Sequence, residues 1–496
     1  MREPIKQKHG NRYIRKQVLG ARQMHKTALT ILIALASGAA APVAMAQVDA
    51  PPLRADQAAF RSLYKELVET NTTLSQGSCT LAAERMAARL KAAGLPDNQL
   101  TLYSVPEHPK DGGLVAVLPG TSRAAKPILL LAHIDVVEAK RADWVRDPFT
   151  LIEENGYFYG RGTFDDKAQA AIWTDMLVRF QGQGYRPRRT IKMALTCGEE
   201  TSGAFNGAEW LSKNRRELID AEFALNEGGG GNSDEHGRLL NQTILVGEKA
   251  YQDFTLTATS PGGHSSQPVR ANAIYAIADA VTKVRDTEFD LEFNDTTRAY
   301  FSRAGAARGD ALGRAMVALA ANPHDSAAEA VVNQDKMFHS MLRTTCVATL
   351  IEGGHALNAL PQKVTANINC RMFPGRTAEE TRRRLIDAIA DPAITVEARV
   401  KDKPIAKSPA LDPKIVGPME RLAAQHFPSV LFLPTISTGA TDAVYLGAVG
   451  IPTYGVPGLW RDPDGNGTHG LNERIQVRSL YSARDYLTDL VKALAQ

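Results

Sequence analysis

The chain has 496 residues, 44% of them hydrophobic, with 58 Lys and Arg against 54 Asp and Glu and four Cys. That is more than one core ordinarily holds, so two domains are expected. The first 46 residues carry eight of the basic residues and one acid, which leaves 50 against 53 and a net charge of −3, so nothing in the charge argues for a nucleic-acid partner.

Residues 27–45 are apolar, Ala-rich and uncharged, follow a Lys- and Arg-containing start, and end in Ala44-Met45-Ala46. This is the pattern of a secretory signal cleaved after Ala46, which makes the mature protein periplasmic or secreted. Met24 is a second candidate start. A membrane anchor is the alternative, but the run is barely long enough to span and its part at 38–42 is weakly hydrophobic. No later stretch is long and apolar enough to cross a membrane. Apolar spacing near 3.6 predicts helices within 55–95. Strand and helix signals then alternate to about Gly230, the pattern of a mostly parallel sheet with helices on both faces. From Gly247 the texture changes. Half-exposed alternating strands at 251–259 and 364–371 accompany helices at 272–284 and 378–389, as in a small α+β domain with an open-faced sheet. Residues 296–345 are Ala-rich and read as helical. After about Pro404 the first texture returns, with a helix near 417–426 and a strand-like run at 430–434. The expected fold class is therefore α/β. A catalytic domain at 47–246 and 404–496 is interrupted by a lid at 247–403.

Of the cysteines, Cys79, Cys197, Cys346 and Cys370, none shows the Cys-x-x-Cys spacing of a zinc site. Cys346 and Cys370 fall in two strand-like runs able to pair, so a bridge there is one option. Cys197 reads as a buried small residue rather than a nucleophile.

The chemistry gathers at strand ends. The continuous apolar run at 127–132 leads into His133-Ile-Asp135, whose two polar side chains point the same way because strand side chains alternate. A capping Asp beside a core His is the plainer alternative. Asp165-Asp166 stand behind Gly160-Arg-Gly, placed either to cap a helix at 167–180 or to be shared by two metals. The strand at 191–196 ends in Cys197-Gly-Glu199-Glu200. Adjacent glutamates there are costly unless paired, protonated or metal-bound. Another apolar strand ends in Glu227 before four glycines. That glycine run lacks the ending of a phosphate loop and reads as a flexible turn. Gly467-Thr-His469-Gly-Leu-Asn-Glu473 supplies a distant His.

In this order the motifs resemble the co-catalytic di-zinc metallopeptidase family that contains glutamate carboxypeptidase, carboxypeptidase S, carnosinase-type dipeptidases and aminoacylase-1. The matching stretches are those around His133, Asp165, Glu199, Glu227, Gly262-Gly-His264, Asn358-Ala-Leu-Pro361, Arg371 and Thr468-His469, and they cover roughly residues 60–495. The resemblance implies a catalytic domain with an inserted lid that often dimerises. It implies two Zn2+ ions, replaceable by Co2+ or Mn2+. Asp165 would bridge them, with His133 and Glu227 on one ion and Glu200 and His469 on the other. Glu199 would be the general base and Asp135 the orienter of His133. His264 would stabilise an oxyanion, often from the partner subunit, and Arg371 would grip a substrate carboxylate, with backbone donors near Gly439 and with Asn272 lining the site. A cis peptide at Asp165–Asp166 is implied as well. The activity implied is cleavage of an amide bond next to a free C-terminal carboxylate, by a carboxypeptidase or dipeptidase. An aminoacylase acting on N-acyl amino acids is the runner-up, and an inactive zinc-binding protein a more distant alternative.

Overall fold

The apolar runs at 127–132 and 191–196 become strands buried on both faces, in a computed structural model that describes residues 53–496 except 202, 401–403, 406 and 457. The expected signal at 1–46 lies outside the described residues. In strand Ile128–His133, Ile128, Leu130 and Ala132 enter one core while Leu129 and Leu131 enter another. Period-two alternation thus feeds two layers of helix. Helices Ala55–Glu69, Cys79–Ala92, Lys167–Gly182, Pro413–His426 and Val477–Leu494 cover the first face. Gly207–Asn214, Arg216–Ile219 and Ala443–Ala448 cover the second.

Among the described residues the sheet has ten strands. Its middle four, in the order Ile191–Thr196, Ile128–His133, Phe223–Asn226 and Thr453–Gly455, are mutually parallel. Antiparallel pairing enters on either side, through the hairpin Leu100–Val105 and His108–Leu118 and through Leu239–Glu248. The expected parallel sheet is therefore the centre of a mixed one. The glycine run at 228–231 is not the flexible turn expected of it. Strand Gly229–Ser233 pairs with Leu239–Glu248, and Gly231 lies beneath the Trp460 ring, where an added Cβ would stand 2.1 Å from a ring carbon. Gly228, Gly229 and Gly230 take positive φ, and at Gly231 the Trp460 ring leaves no room for a Cβ, so the run is glycine for backbone shape and packing rather than for flexibility.

A second, antiparallel sheet joins Thr345–Gly353, Lys363–Met372, Ala250–Thr259 and Thr395–Ala398. Helices Ala273–Arg285 and Ala378–Ile389 bury one of its faces. The Ala-rich stretch forms helices Asp295–Arg308, Ala311–Ala321, Ser326–Val332 and Lys336–Met341, whose core closes on Phe373 and Ile436. Among the described residues no helix is long and apolar enough to cross a membrane.

Both cysteine pairs are bridged. Cys346 and Cys370 face each other across two strands, as the sequence allows. Cys197 is the buried residue expected, and its partner is supplied by the Cys79–Cys197 bridge. It joins the first residue of helix Cys79–Ala92 to the turn carrying Glu199, across a sequence separation of 118. No local pattern announces a bond between residues so far apart. Replacing both members by Ser is expected to lower unfolding stability by about 2–4 kcal/mol, because the cross-link restricts the unfolded chain over a long loop. Urea titration of the double variant against the parent checks this.

Candidate metal centre

Three parallel neighbours end in the same crevice. His133 closes the first strand, Glu199 and Glu200 follow the second within a few residues, and Glu227 follows the third. Open α/β sheets collect their ligands at such carboxyl ends. Gly198 makes the second exit possible. Its φ is +96°, and a Cβ there would stand 1.8 Å from the Phe205 carbonyl oxygen.

His133 Nε2 lies 3.2 Å from Asp165 Oδ1 and 3.8 Å from Glu227 Oε1. His469 Nε2 lies 3.1 Å from Asp165 Oδ2 and 2.9 Å from Glu200 Oε2. Two triads therefore share Asp165, one carboxylate oxygen to each. Glu199 belongs to neither. The Asp165–Asp166 peptide is cis, as the resemblance implies. The His133 ring donates from Nδ1 to the Asp135 carbonyl at 3.1 Å, which orients the ring so that Nε2 faces Asp165 and Glu227. Asp135 Oδ2 accepts from the Glu200 N–H at 3.0 Å, so one residue orients both a His and a Glu of the site.

Sequence reasoning missed the group that holds the bridge in place. Glu473 is fully buried. Its Oε1 accepts from the N–H groups of Phe164 and Asp165 at 2.8 and 3.0 Å. Its Oε2 accepts from the Gly162 N–H at 2.9 Å and from Arg161 Nη1 at 2.7 Å. Asp442 was also missed. It accepts from Asn206 Nδ2 and Thr196 Oγ1 at 2.7 and 3.0 Å, which fixes the base of the Glu199 turn. Both are acids at loop positions, and neither carries a local signal beyond standing a few residues from a Gly.

A cleft of about 430 Å³ opens over the crevice. Glu199, Glu200, Tyr251, Arg371, Gly439 and His469 line it, so the expected base, two expected ligands and the expected carboxylate-binding Arg share one space. The Arg371 guanidinium lies 4.7 Å from the centre of the Tyr251 ring, over its face. Two expectations are not met within this chain. Asn272 does not line the cleft; its Oδ1 caps helix Ala273–Arg285 through the Ile274 N–H at 2.9 Å. His264 is exposed on a short hairpin with Ala359–Leu360, and its Nδ1 accepts from the Ser266 N–H.

The donor set fits divalent metal. Each triad offers one imidazole and carboxylate oxygens within 4.8 Å of one another. Burial pushes Glu199 up to about 10, Glu227 up to about 8 and Asp442 up to about 6. A crevice that crowds this many acids is short of positive charge, which two divalent cations supply.

An open α/β sheet with two carboxylate–imidazole triads at its strand ends defines a dinuclear metallohydrolase. Residues 129–493 match the model of Peptidase family M20/M25/M40, and the chain belongs to that family. It is 26% identical over 383 residues to the N-fatty-acyl-amino acid synthase/hydrolase PM20D1 of Homo sapiens, covering 76% of this chain and 75% of that one. It is 27% identical over 384 residues to the probable carboxypeptidase S-like 2 of Dictyostelium discoideum, covering 75% and 72%. Among solved structures, the M20 family metallo-carboxypeptidase Sso-CP2 of Sulfolobus solfataricus superposes with a TM-score of 0.65 at 17% identity, over 89% of this chain and 100% of that one, a likeness of fold. The protein is an M20-family metal-dependent peptidase or amidohydrolase.

Proposed function

We propose that the protein hydrolyses an amide bond next to a free carboxylate, in small peptides or N-acyl amino acids, with two Zn2+ ions. The observation that carries this reading is the shared cleft: Arg371 faces the space that also holds Glu199 and two members of the second triad, Glu200 and His469. His133, Glu227 and Asp165 would hold one ion, and Asp165, Glu200 and His469 the other. The chemistry two such ions would supply is polarisation of a carbonyl and a lowered pKa for water. Glu199 takes the proton of the attacking water and returns it to the leaving amine. Arg371 grips the substrate carboxylate in a fork that suits its two oxygens, and Gly439 offers its backbone nearby. Asp135 and Glu473 position the ligands. The sheet at 250–398 acts as a lid. His264 lies outside this chain's cleft, so its oxyanion role falls to a second copy of the chain. Two disulfides suit an exported protein.

The names of the relatives support both substrate classes, and the test separates them. Zinc-loaded protein is assayed on dipeptides, longer peptides and N-acyl amino acids, with chelator controls and with Arg371→Ala. The expected result is chelator-sensitive hydrolysis whose KM rises roughly 10–100-fold in Arg371→Ala, the loss of one hydrogen-bonded charge pair. Amidated substrates lacking the carboxylate are then expected to lose nothing further in the variant. A KM unchanged by the substitution removes Arg371 from the substrate site.

A further inference from the structure

The helices that pack on the lid sheet leave its other face open, and a polar row on that face ends at the cleft. In strand Ala250–Thr259, Phe254 and Leu256 enter the helix-covered core, while Tyr251 and Asp253 lie on the opposite side. In strand Lys363–Met372, Ile368 and Cys370 enter that core, while Asn367, Asn369 and Arg371 lie opposite. Strand register then sets Tyr251 beside Arg371 and Asp253 beside Asn369. Tyr251 and Arg371 are the members of the row that line the cleft.

The row is connected from end to end. The Arg371 guanidinium lies over the Tyr251 ring, 4.7 Å from its centre. The Tyr251 hydroxyl donates to Asp253 Oδ2. Burial, and then this hydrogen bond, push the phenol above its ordinary pKa, so it stays the donor. Asp253 Oδ1 accepts from the side-chain amides of Asn367 and Asn369, both at 2.9 Å. The Asn367 amide also donates to Thr349 Oγ1 at 2.8 Å, where strand Thr345–Gly353 shifts register. Asp253 thus meets the ring hydroxyl rather than the guanidinium. A direct ion pair would occupy the N–H fork of Arg371, whereas a contact through the ring face leaves that fork to a ligand. A long side chain fixed before binding also loses less rotamer freedom when the ligand arrives.

We propose that Tyr251 and Asp253 are positioning residues for Arg371 and set how selectively the cleft takes a free carboxylate. The ring holds the guanidinium. Asp253, fixed by two amides of the neighbouring strand, holds the ring. The proposal rests on the carboxylate grip proposed above for Arg371.

The test compares N-acetyl-leucine and alanyl-leucine with their C-terminal amides. Zinc-loaded protein carries Tyr251→Leu, Tyr251→Phe or Asp253→Ala, each alone and together with Arg371→Ala. Tyr251→Leu is expected to raise KM for the two acids by about 3–30-fold, the range of a cation–π contact. The kcat values should hardly move, because the contact serves binding rather than the chemical step. Tyr251→Phe keeps the ring face and loses its tether, so it should recover most of the loss. Asp253→Ala cuts the same hydrogen bond and should match Tyr251→Phe. On the amides, and in the Arg371→Ala background, all three substitutions should change KM by less than about twofold, since they act through the arginine. Calorimetric titration of N-acetyl-leucine into zinc-loaded Glu199→Gln repeats the comparison without turnover, and thermal melts report the folding of each variant. Should Tyr251→Leu fail to fold, Tyr251→Phe and Asp253→Ala decide the matter by their equality and by their silence beside Arg371→Ala. Unchanged KM values in the folded variants, with Arg371→Ala impaired, overturn the proposal and leave the carboxylate grip standing. A loss that persists on the amides or without Arg371 overturns it too, and makes Tyr251 a substrate contact in its own right. No hydrolysis of either acid, or no loss in Arg371→Ala, overturns the reading beneath instead.

Discussion

Glu199→Gln is expected to lower kcat by about 10²–10⁴-fold, the usual worth of a positioned general base, while both metal positions stay filled. Glu199 lines the cleft and yet stands outside both triads, so its loss removes no ligand atom. Gln has the same shape and cannot accept the proton of water. Burial pushes the Glu199 carboxyl up to about 10 before any cation is counted. Two divalent ions nearby act in the opposite direction and favour the ionised form, the one that can act as base. Metal content by emission spectroscopy, measured beside kcat, separates the two explanations of any loss. A variant that keeps two metals and most of its activity would show that the proton passes elsewhere. A variant that loses metal as well would make Glu199 a ligand, contrary to its place outside the triads.

The parts of this site that were legible in the sequence share one physical reason. A strand buried on both faces is continuously apolar, so an acid or His at its carboxyl end is conspicuous. His133, Glu199, Glu200 and Glu227 all stand at or just beyond such ends. Asp165 and His469 lie on loops, and were legible only as members of an ordered set of motifs. The misreadings share a reason as well: each depends on a partner far along the chain. Gly228 to Gly231 looked like a turn because the strand that pairs with them and the indole that covers Gly231 are specified elsewhere. The Cys79–Cys197 pairing has no sequence sign because the two residues are 118 apart. Asn272 is the exception: its task, capping the helix that follows, is local and is announced by its place at the start of an apolar helical repeat. Glu473 stands in the His469 motif without a local sign of its task, since its partners are main-chain N–H groups some 300 residues earlier, which have no sequence signature.

Glu473 is therefore the position where a change remote from substrate should cost most. Glu473→Ala is expected to destabilise the metal-free protein by about 3–5 kcal/mol, because it leaves the Arg161 guanidinium buried without its counter-charge. Arg161 is itself almost fully buried, and its Nη2 bond to the Gly470 carbonyl, at 2.7 Å, does not replace a carboxylate. The same substitution frees the N–H groups of Gly162, Phe164 and Asp165 at once, and these fix the main chain from which Asp165 reaches both triads. Metal affinity is expected to fall by about 10–100-fold, as when an outer partner of a ligand is removed. Urea unfolding of the metal-free protein reads the first effect, and competition with a zinc chelator the second. The pair of measurements is informative because the effects have different origins. Glu473→Gln keeps hydrogen-bond acceptance toward the loop but loses the charge facing Arg161. It should retain more of the metal affinity than Glu473→Ala while recovering little of the stability. Equal losses in both variants would instead assign the whole effect to the Arg161 ion pair, and the loop at 162–165 would then be held by its own turns and by the metal alone.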